Sequence, residues 1–349
     1  MSAQLRAALA TIVEGGTLSM DEARLAMGSV MDGEATPSQL AALLMGLRMR
    51  GETVDELAGF ASAMRERVVR VEAPPGAIDV VGTGGDGSGT FNISTTAALV
   101  VAAGGIPVAK HGNRAITSKS GSADVLDALG IRIDHDAASA GQALRDHGFA
   151  FLFAPAFHPA MRHAGPTRAE LGVRTAFNLL GPLTNPAGAT RGVIGVGVAD
   201  LAPRIADVVA RLGTERTFVI HGAGVDELPL DDTGVLYHVG PEGVVRHEIK
   251  ASALGFKTAS TAKLAGGTAQ ENARLVEGVL RGEPGVRRDV VLLNAGAALL
   301  VAGVVEQLEE GIEKAAFIVD AGLASELLAA LRAERVAADA AKAAAGTGS

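Results

Sequence analysis

Three short stretches of this chain place glycines, hydroxyls and bases where phosphate could be held. Gly82-Thr83-Gly84-Gly85-Asp86 follows an apolar, β-prone run. Asn92-Ile93-Ser94-Thr95 stands just before the apolar run 97–103. Lys110-His111-Gly112-Asn113-Arg114 follows a second apolar run and leads to Ser118, Ser120 and Ser122. Glycines let backbone amides approach an anion and point at it. A helix N-terminus adds free amides and a dipole of the right sign, with Ser94 and Thr95 as hydroxyl donors. Lys110 and Arg114 can neutralise phosphate oxygens. Each stretch alone has a plainer reading as a tight turn, an N-cap or surface charge. Three of them at successive strand ends are poorly explained that way.

A fourth stretch, Gly222-Ala223-Gly224-Val225-Asp226-Glu227-Leu228, puts two adjacent carboxylates on a glycine-rich loop. Such a pair suits magnesium, which takes few carboxylates and fills its shell with phosphate oxygens and water. Glycosidase chemistry would want two carboxylates facing each other across a bond, and sequence neighbours match that poorly. Arg168 lies in Pro166-Thr167-Arg168-Ala169-Glu170 and could meet a substrate carboxylate with both guanidinium nitrogens; a surface salt bridge is the competing role. His158, before Pro159, reads as structural, and His111 as the better functional histidine. Nothing pairs His111 with a nucleophile, so no catalytic triad is read. Gly82, Gly84 and Gly87 fit G-x-G-x-x-G, but no acidic residue closes a second strand as a dinucleotide site requires.

The elements that must position these residues fall into two textures. The first seventy or so residues read as helical. Ser19–Glu22, Thr36–Gln39 and Thr53–Glu56 have capping-box spacing, and Leu40, Leu43, Leu44 and Leu47 recur at helical period. Glu72-Ala73-Pro74-Pro75-Gly76 reads as a linker. Beyond it, β-rich runs at 78–81, 106–109, 149–153, 193–198 and 218–221 alternate with helical runs at 94–103, 122–129 and 203–212. That alternation predicts an α/β fold with a central, largely parallel sheet flanked by helices, joined to a small N-terminal helical domain. The stretch 166–185 is helical in character and could belong to either part. The chain beyond 289 is helical, and the Ala-rich tail 337–349 is expected to fray.

Composition narrows the function classes. The chain has 349 residues, 48% of them hydrophobic, and a net charge of −8. This suits a soluble, cytoplasmic enzyme of two domains and argues against a nucleic-acid binder, which would be basic. Aromatics make up 3% with no Trp, too few for base-stacking platforms. The chain contains no cysteine, which rules out disulfides and thiol nucleophiles. No signal peptide or membrane-length apolar run is apparent.

With these motifs in hand, the chain resembles the anthranilate phosphoribosyltransferase family of tryptophan synthesis. The resemblance rests on GTGGD (Gly82–Asp86), NIST (Asn92–Thr95), KHGNR (Lys110–Arg114), SGSAD (Ser120–Asp124), FAPAFHPAM (Phe153–Met161), RAELGVRTAFNLLGPLTNP (Arg168–Pro186) and VDEL (Val225–Leu228). It covers nearly everything except the tail. One departure is Thr117, where the family commonly has Ser, and the hydroxyl is kept.

The resemblance implies a helical domain of 1–72 joined by about 166–186, an α/β domain of 77–165 and 187–336, and a homodimer formed through the helical domain. It implies transfer of the phosphoribosyl group from phosphoribosyl pyrophosphate to the amine of anthranilate. It also assigns roles. Gly82, Gly85, Asp86, Thr90, Asn92, Ile93, Ser94 and Thr95 hold the phosphoribosyl donor. So do Lys110, His111, Gly112, Asn113, Arg114, Ala115, Ile116, Thr117, Ser118 and Ser122. Arg168 meets the anthranilate carboxylate, with Gly82 and Asn113 along its path. Ser94, Asp226 and Glu227 hold two magnesium ions, and Lys110, Asn113 and Arg168 are the catalytic set. A pyrimidine nucleoside phosphorylase would share the GTGG-type loop but lack KHGNR and the Asp-Glu pair. A nucleic-acid-binding homologue without catalysis would want a basic surface and broken motifs.

Overall fold

The computed structural model describes residues 2–85, 87–115, 119–231 and 234–346. Four helices open the chain: α1 (Ala3–Val13), α2 (Met20–Met31), α3 (Pro37–Arg50) and α4 (Val54–Glu66). All three capping boxes form, at Ser19–Glu22, Thr36–Gln39 and Thr53–Glu56. Each cap satisfies amides that a first helical turn leaves open and contributes about 1 kcal/mol. The four leucines of α3 are buried, and α2 packs along α4.

The rest of the chain builds one seven-stranded sheet. Its strands are β1 (Ile78–Gly82), β2 (Val108–Gly112), β3 (Phe149–Phe153), β4 (Arg191–Gly195), β5 (Arg216–Gly222), β6 (Gly234–Gly240) and β7 (Gly243–Ile249). They lie in the order β3-β2-β1-β4-β5-β6-β7. The pairs from β3 to β5 are parallel, and β6 and β7 add an antiparallel hairpin at one edge. The five parallel strands therefore present their carboxyl ends on one rim, where ligands bind in open α/β sheets.

The intervening helices are α5 (Ile93–Ala103), α6 (Ser122–Ala128), α7 (Ala137–His147), α8 (Ala154–Phe157), α9 (Gly165–Leu171), α10 (Phe177–Leu180) and α11 (Ala202–Leu212). After the sheet come α12 (Ala269–Leu280), α13 (Val286–Ala302), α14 (Leu308–Asp320) and α15 (Leu323–Gly346). The period-2 alternation of the strands divides two cores. Val80, Val193 and Phe218 face the layer of α5 and α13, whereas Ile194 and Val219 face α4 and α11. The stretch that sequence left open packs on the N-terminal helices: α9 against α3 and α10 against α4. Phe177, Leu180 and Leu183 join their core.

Three expectations change. Strand β2 runs to Gly112 instead of ending at Ala109, because β3 pairs with it from Val108–Phe149 through Gly112–Phe153. Lys110 and His111 are therefore strand residues, not loop residues. The β6–β7 hairpin went unread, although the alternation in GVLYHVG before the turn at Pro241-Glu242 is a period-2 signal. The tail expected to fray is helical through Gly346, as its alanine content permits. Among the described residues no helix is long and apolar enough to cross a membrane.

Candidate active site

The phosphate loop leaves the end of β1, and the acid loop leaves the end of β5. The fold presses them together. Asp226 Oδ2 accepts a hydrogen bond from the Gly84 amide at 3.0 Å. The contact depends on two glycines paired across adjacent strands, Gly82 of β1 and Gly195 of β4. A Cβ on Gly82 would overlap the Asp226 carboxylate, and one on Gly195 would overlap the Asp226 carbonyl oxygen. The next residue but one, Leu228, is held at both its amide and its carbonyl by buried Asn294, each bond 2.9 Å long.

Lys110 lies beneath this meeting point. It is 2% exposed and donates to the Val80 carbonyl at 2.5 Å. Burial lowers its pKa, opposed by the carboxylates of Asp79, Asp226 and Glu227. Lys110 thus stands buried under the acid loop, not on a surface flap. Asp226 and Glu227 are hard oxygen donors beside a glycine loop. Among the described residues no three or more His, Cys, Asp or Glu side chains gather into a complete metal cage. That donor set fits magnesium taking its remaining oxygens from phosphate and water.

Helix α5 supplies the second element. Asn92 is its N-cap residue, yet its own side chain does not cap the helix. Instead the Asn92 carboxamide oxygen accepts from Asn272 Nδ2 at 2.9 Å, and its nitrogen reaches the Ser120 carbonyl at 3.4 Å. The uncapped first turn suits an anion, since amides and dipole both favour negative charge there. Ile93 and Thr95 are buried and Ser94 half-buried. Thr90 bridges to Ala265, with Ser88 Oγ 3.2 Å from its hydroxyl.

The third element is organised by Asp124. Its carboxylate accepts from the amides of Ala115 at 2.8 Å and Gly121 at 2.9 Å. Arg114 donates to Asp124 at 2.9 Å and to Asp127 at 3.3 Å, so its charge is compensated locally. Those carboxylates raise its pKa. Asn113 turns its side-chain oxygen to the Arg114 amide at 2.8 Å, and its carbonyl accepts from the Ser122 hydroxyl at 3.4 Å. Gly112 is needed there, because a Cβ would overlap Ser122 Oγ. Asp86, Ile116, Thr117 and Ser118 lie outside the described residues.

His111 points to the other face of β2. Its Nδ1 is 3.1 Å from the Gly181 carbonyl, and its ring lies 5.1 Å from that of His158. Burial pushes the His111 pKa down to about 3 and that of His158 to about 4. Both are neutral at ordinary pH, and the two histidines that sequence separated form one buried pair. Arg168 lies on α9 with its guanidinium 4.9 Å above the Phe177 ring. Burial lowers its pKa. Stacking leaves the guanidinium edge able to meet a carboxylate. A cavity of about 240 Å³ lined by Arg65, Asp79, Asn185, Arg191 and Thr217 contains none of the candidate site residues.

Residues 74–325 match the model of the glycosyl transferase family, a/b domain, and residues 6–68 match that family's helical bundle domain. The chain is 48% identical over 326 residues to anthranilate phosphoribosyltransferase of Azorhizobium caulinodans, covering 93% of this chain and 95% of that one. The enzyme of Rhodopseudomonas palustris is 49% identical over 321 residues, 92% of this chain and 95% of the relative. This chain belongs to the anthranilate phosphoribosyltransferase family.

The crystal structure of the family member from Thermus thermophilus is similar with a TM-score of 0.87 at 44% identity, covering 94% of this chain and 99% of that one. The Saccharomyces cerevisiae enzyme in complex with phosphoribosyl pyrophosphate and magnesium also gives 0.87, at 27% identity, over 97% of this chain and 99% of that one. Against that family background, four residues that sequence reading passed over emerge from packing. They are Gly195 and Asn294, which seat the acid loop, Asn272, which holds Asn92, and Arg174, which touches Gly85. The visible signals were a glycine interrupting the β-rich run 193–198, at Gly195, and the place of Arg174 within the motif 168–186. The asparagines lie far away in sequence on α12 and α13 and gave none.

Proposed function

We propose that this protein is an anthranilate phosphoribosyltransferase, a magnesium-dependent pentosyltransferase of tryptophan synthesis. The anthranilate amine attacks C1 of the ribose, the bond from C1 to the pyrophosphate oxygen breaks, and the amine gives up a proton. The observation that carries this reading is the seating of the Asp226 carboxylate on the Gly84 amide, over buried Lys110. It joins a phosphate cradle to a metal-binding acid pair at one rim of the sheet.

The chain's own groups divide the work. The loop from Gly82 to Gly85, with Asp86 and Thr90, cradles the donor's phosphates, and the uncapped start of α5 at Asn92–Thr95 anchors its other end. Asp226, Glu227 and Ser94 hold magnesium, two ions in this reading, which when bound offsets the charge of the departing pyrophosphate. Lys110, buried beneath the acid pair, is assigned to charge stabilisation of the departing pyrophosphate. Arg168 receives the anthranilate carboxylate and aims its amine, with Asn113 on the approach, so that the reactants meet in a defined orientation. Gly112–Ser118 and Ser122 close the donor site, whereas the His111 side chain lies on the opposite face of β2. The helical part, with residues 166–186, forms one domain, through which two copies pair in the cytoplasm.

The experiment is direct. With magnesium and phosphoribosyl pyrophosphate, anthranilate fluorescence should disappear with time. The chain has no Trp and one Tyr, so its own emission interferes little. Folded protein that leaves anthranilate fluorescence constant would overturn the reading.

A further inference from the structure

The phosphate loop is rich in glycine. Gly84, Gly85, Gly87 and Gly89 all have φ between 60° and 74°, the left-handed region that glycine enters freely. Its shape therefore depends on tethers from outside. Among the described residues, the α/β part supplies the Gly195 carbonyl, which accepts from the Thr83 amide at 2.8 Å, Asp226, which accepts from the Gly84 amide, and the Gly266 amide, which donates to the Gly89 carbonyl at 2.8 Å. Another comes from elsewhere. Arg174 Nη1 donates to the Gly85 carbonyl at 2.5 Å. Its guanidinium occupies the space that a side chain at position 85 would need.

Arg174 lies between α9 and α10, six positions after Arg168, on the stretch that packs against α3 and α4. One segment thus carries both the arginine assigned to the acceptor and the arginine that grips the donor loop. We propose that Arg174 is a positioning residue for the donor: it fixes the Gly85 peptide so that the loop amides face the pyrophosphate. The inference rests on the proposed transferase reading. It concerns donor binding, not the chemical step, because Arg174 acts through the loop. A guanidinium suits the task, since its planar fork holds a carbonyl in a set direction where an ammonium is a point charge.

The test is calorimetric titration of magnesium phosphoribosyl pyrophosphate into wild type, Arg174→Ala and Arg174→Lys without anthranilate, beside steady-state kinetics and thermal melts. Arg174→Ala should weaken donor Kd and raise donor KM about tenfold, with anthranilate KM changed less than twofold and the melting temperature kept. Arg174→Lys should recover part of the donor affinity, and added guanidinium should recover part of the Ala variant's. A donor Kd unchanged in the Ala variant overturns the proposal, as does weaker binding that merely follows a lowered melting temperature. Failure of the transferase reading shows separately, as wild type that binds donor but does not consume anthranilate.

Discussion

Asp226 is seated on two glycines from neighbouring strands, its carboxylate on Gly82 and its backbone carbonyl on Gly195, and the carboxylate is bonded to the Gly84 amide at 3.0 Å. Residues 142 positions apart in sequence thereby share one site. A metal held by Asp226 is automatically beside the phosphate loop, which is the arrangement that pyrophosphate departure requires.

Neutralising the pair tests the metal assignment. Asp226→Asn with Glu227→Gln should lower kcat/KM by about a hundredfold or more, since metal stabilisation of a leaving group contributes several kcal/mol. The magnesium concentration for half-maximal activity should rise. A magnesium titration identical to wild type would place the metal elsewhere.

The seat can be tested without touching the carboxylates. Gly195→Ala inserts a methyl group where the Asp226 carbonyl lies. The acid loop must then shift, at a cost of about 1–3 kcal/mol as in overpacked cores. Both the melting temperature and the magnesium response should change. A variant with wild-type magnesium dependence would show that the loop position is not critical.

Arg168→Ala should chiefly raise anthranilate KM. Losing a hydrogen bond to a charged group costs about 1.5–3 kcal/mol, which corresponds to roughly ten- to a hundredfold. Donor KM should stay near wild type. Steady-state kinetics with each substrate varied in turn separates the two, and an unchanged anthranilate KM removes Arg168 from that role.

Stability should fall as pH drops below neutrality. His111, His135 and His158 are held by burial at about 3, 4 and 4, below their ordinary 6.5. The unfolded chain takes up protons that the folded chain refuses, so this stability is fully present above pH 6.5 and is lost as pH falls toward about 4. Asp79 works in the opposite sense. Burial raises it from 3.8 to about 6, so the folded chain binds a proton that the unfolded chain releases between those values. Burial also raises Asp289 and Glu334 in the same sense as Asp79, but both are far less buried, so the three histidines prevail and thermal melts between pH 7 and 5 should show a falling midpoint. His158→Gln should flatten that slope; a slope as steep as wild type would mean that other groups govern it.

Local signals were legible in the sequence because local chemistry fixes them. The three capping boxes, the strands at 78 and 149, and the helix starting near Asn92 follow from period and from the preferences of Ser, Thr and Asn at helix ends. The family motifs likewise announced phosphate and metal chemistry. Which groups face that chemistry was settled by packing. Lys110 is drawn into a strand by pairing with β3, Arg114 is occupied by Asp124 and Asp127, and His111 packs against His158 with tilted rings. Arg174, Asn272 and Asn294 matter through contacts with residues dozens to nearly two hundred positions away. No period or spacing encodes such contacts, because they arise where separate strands and helices come together.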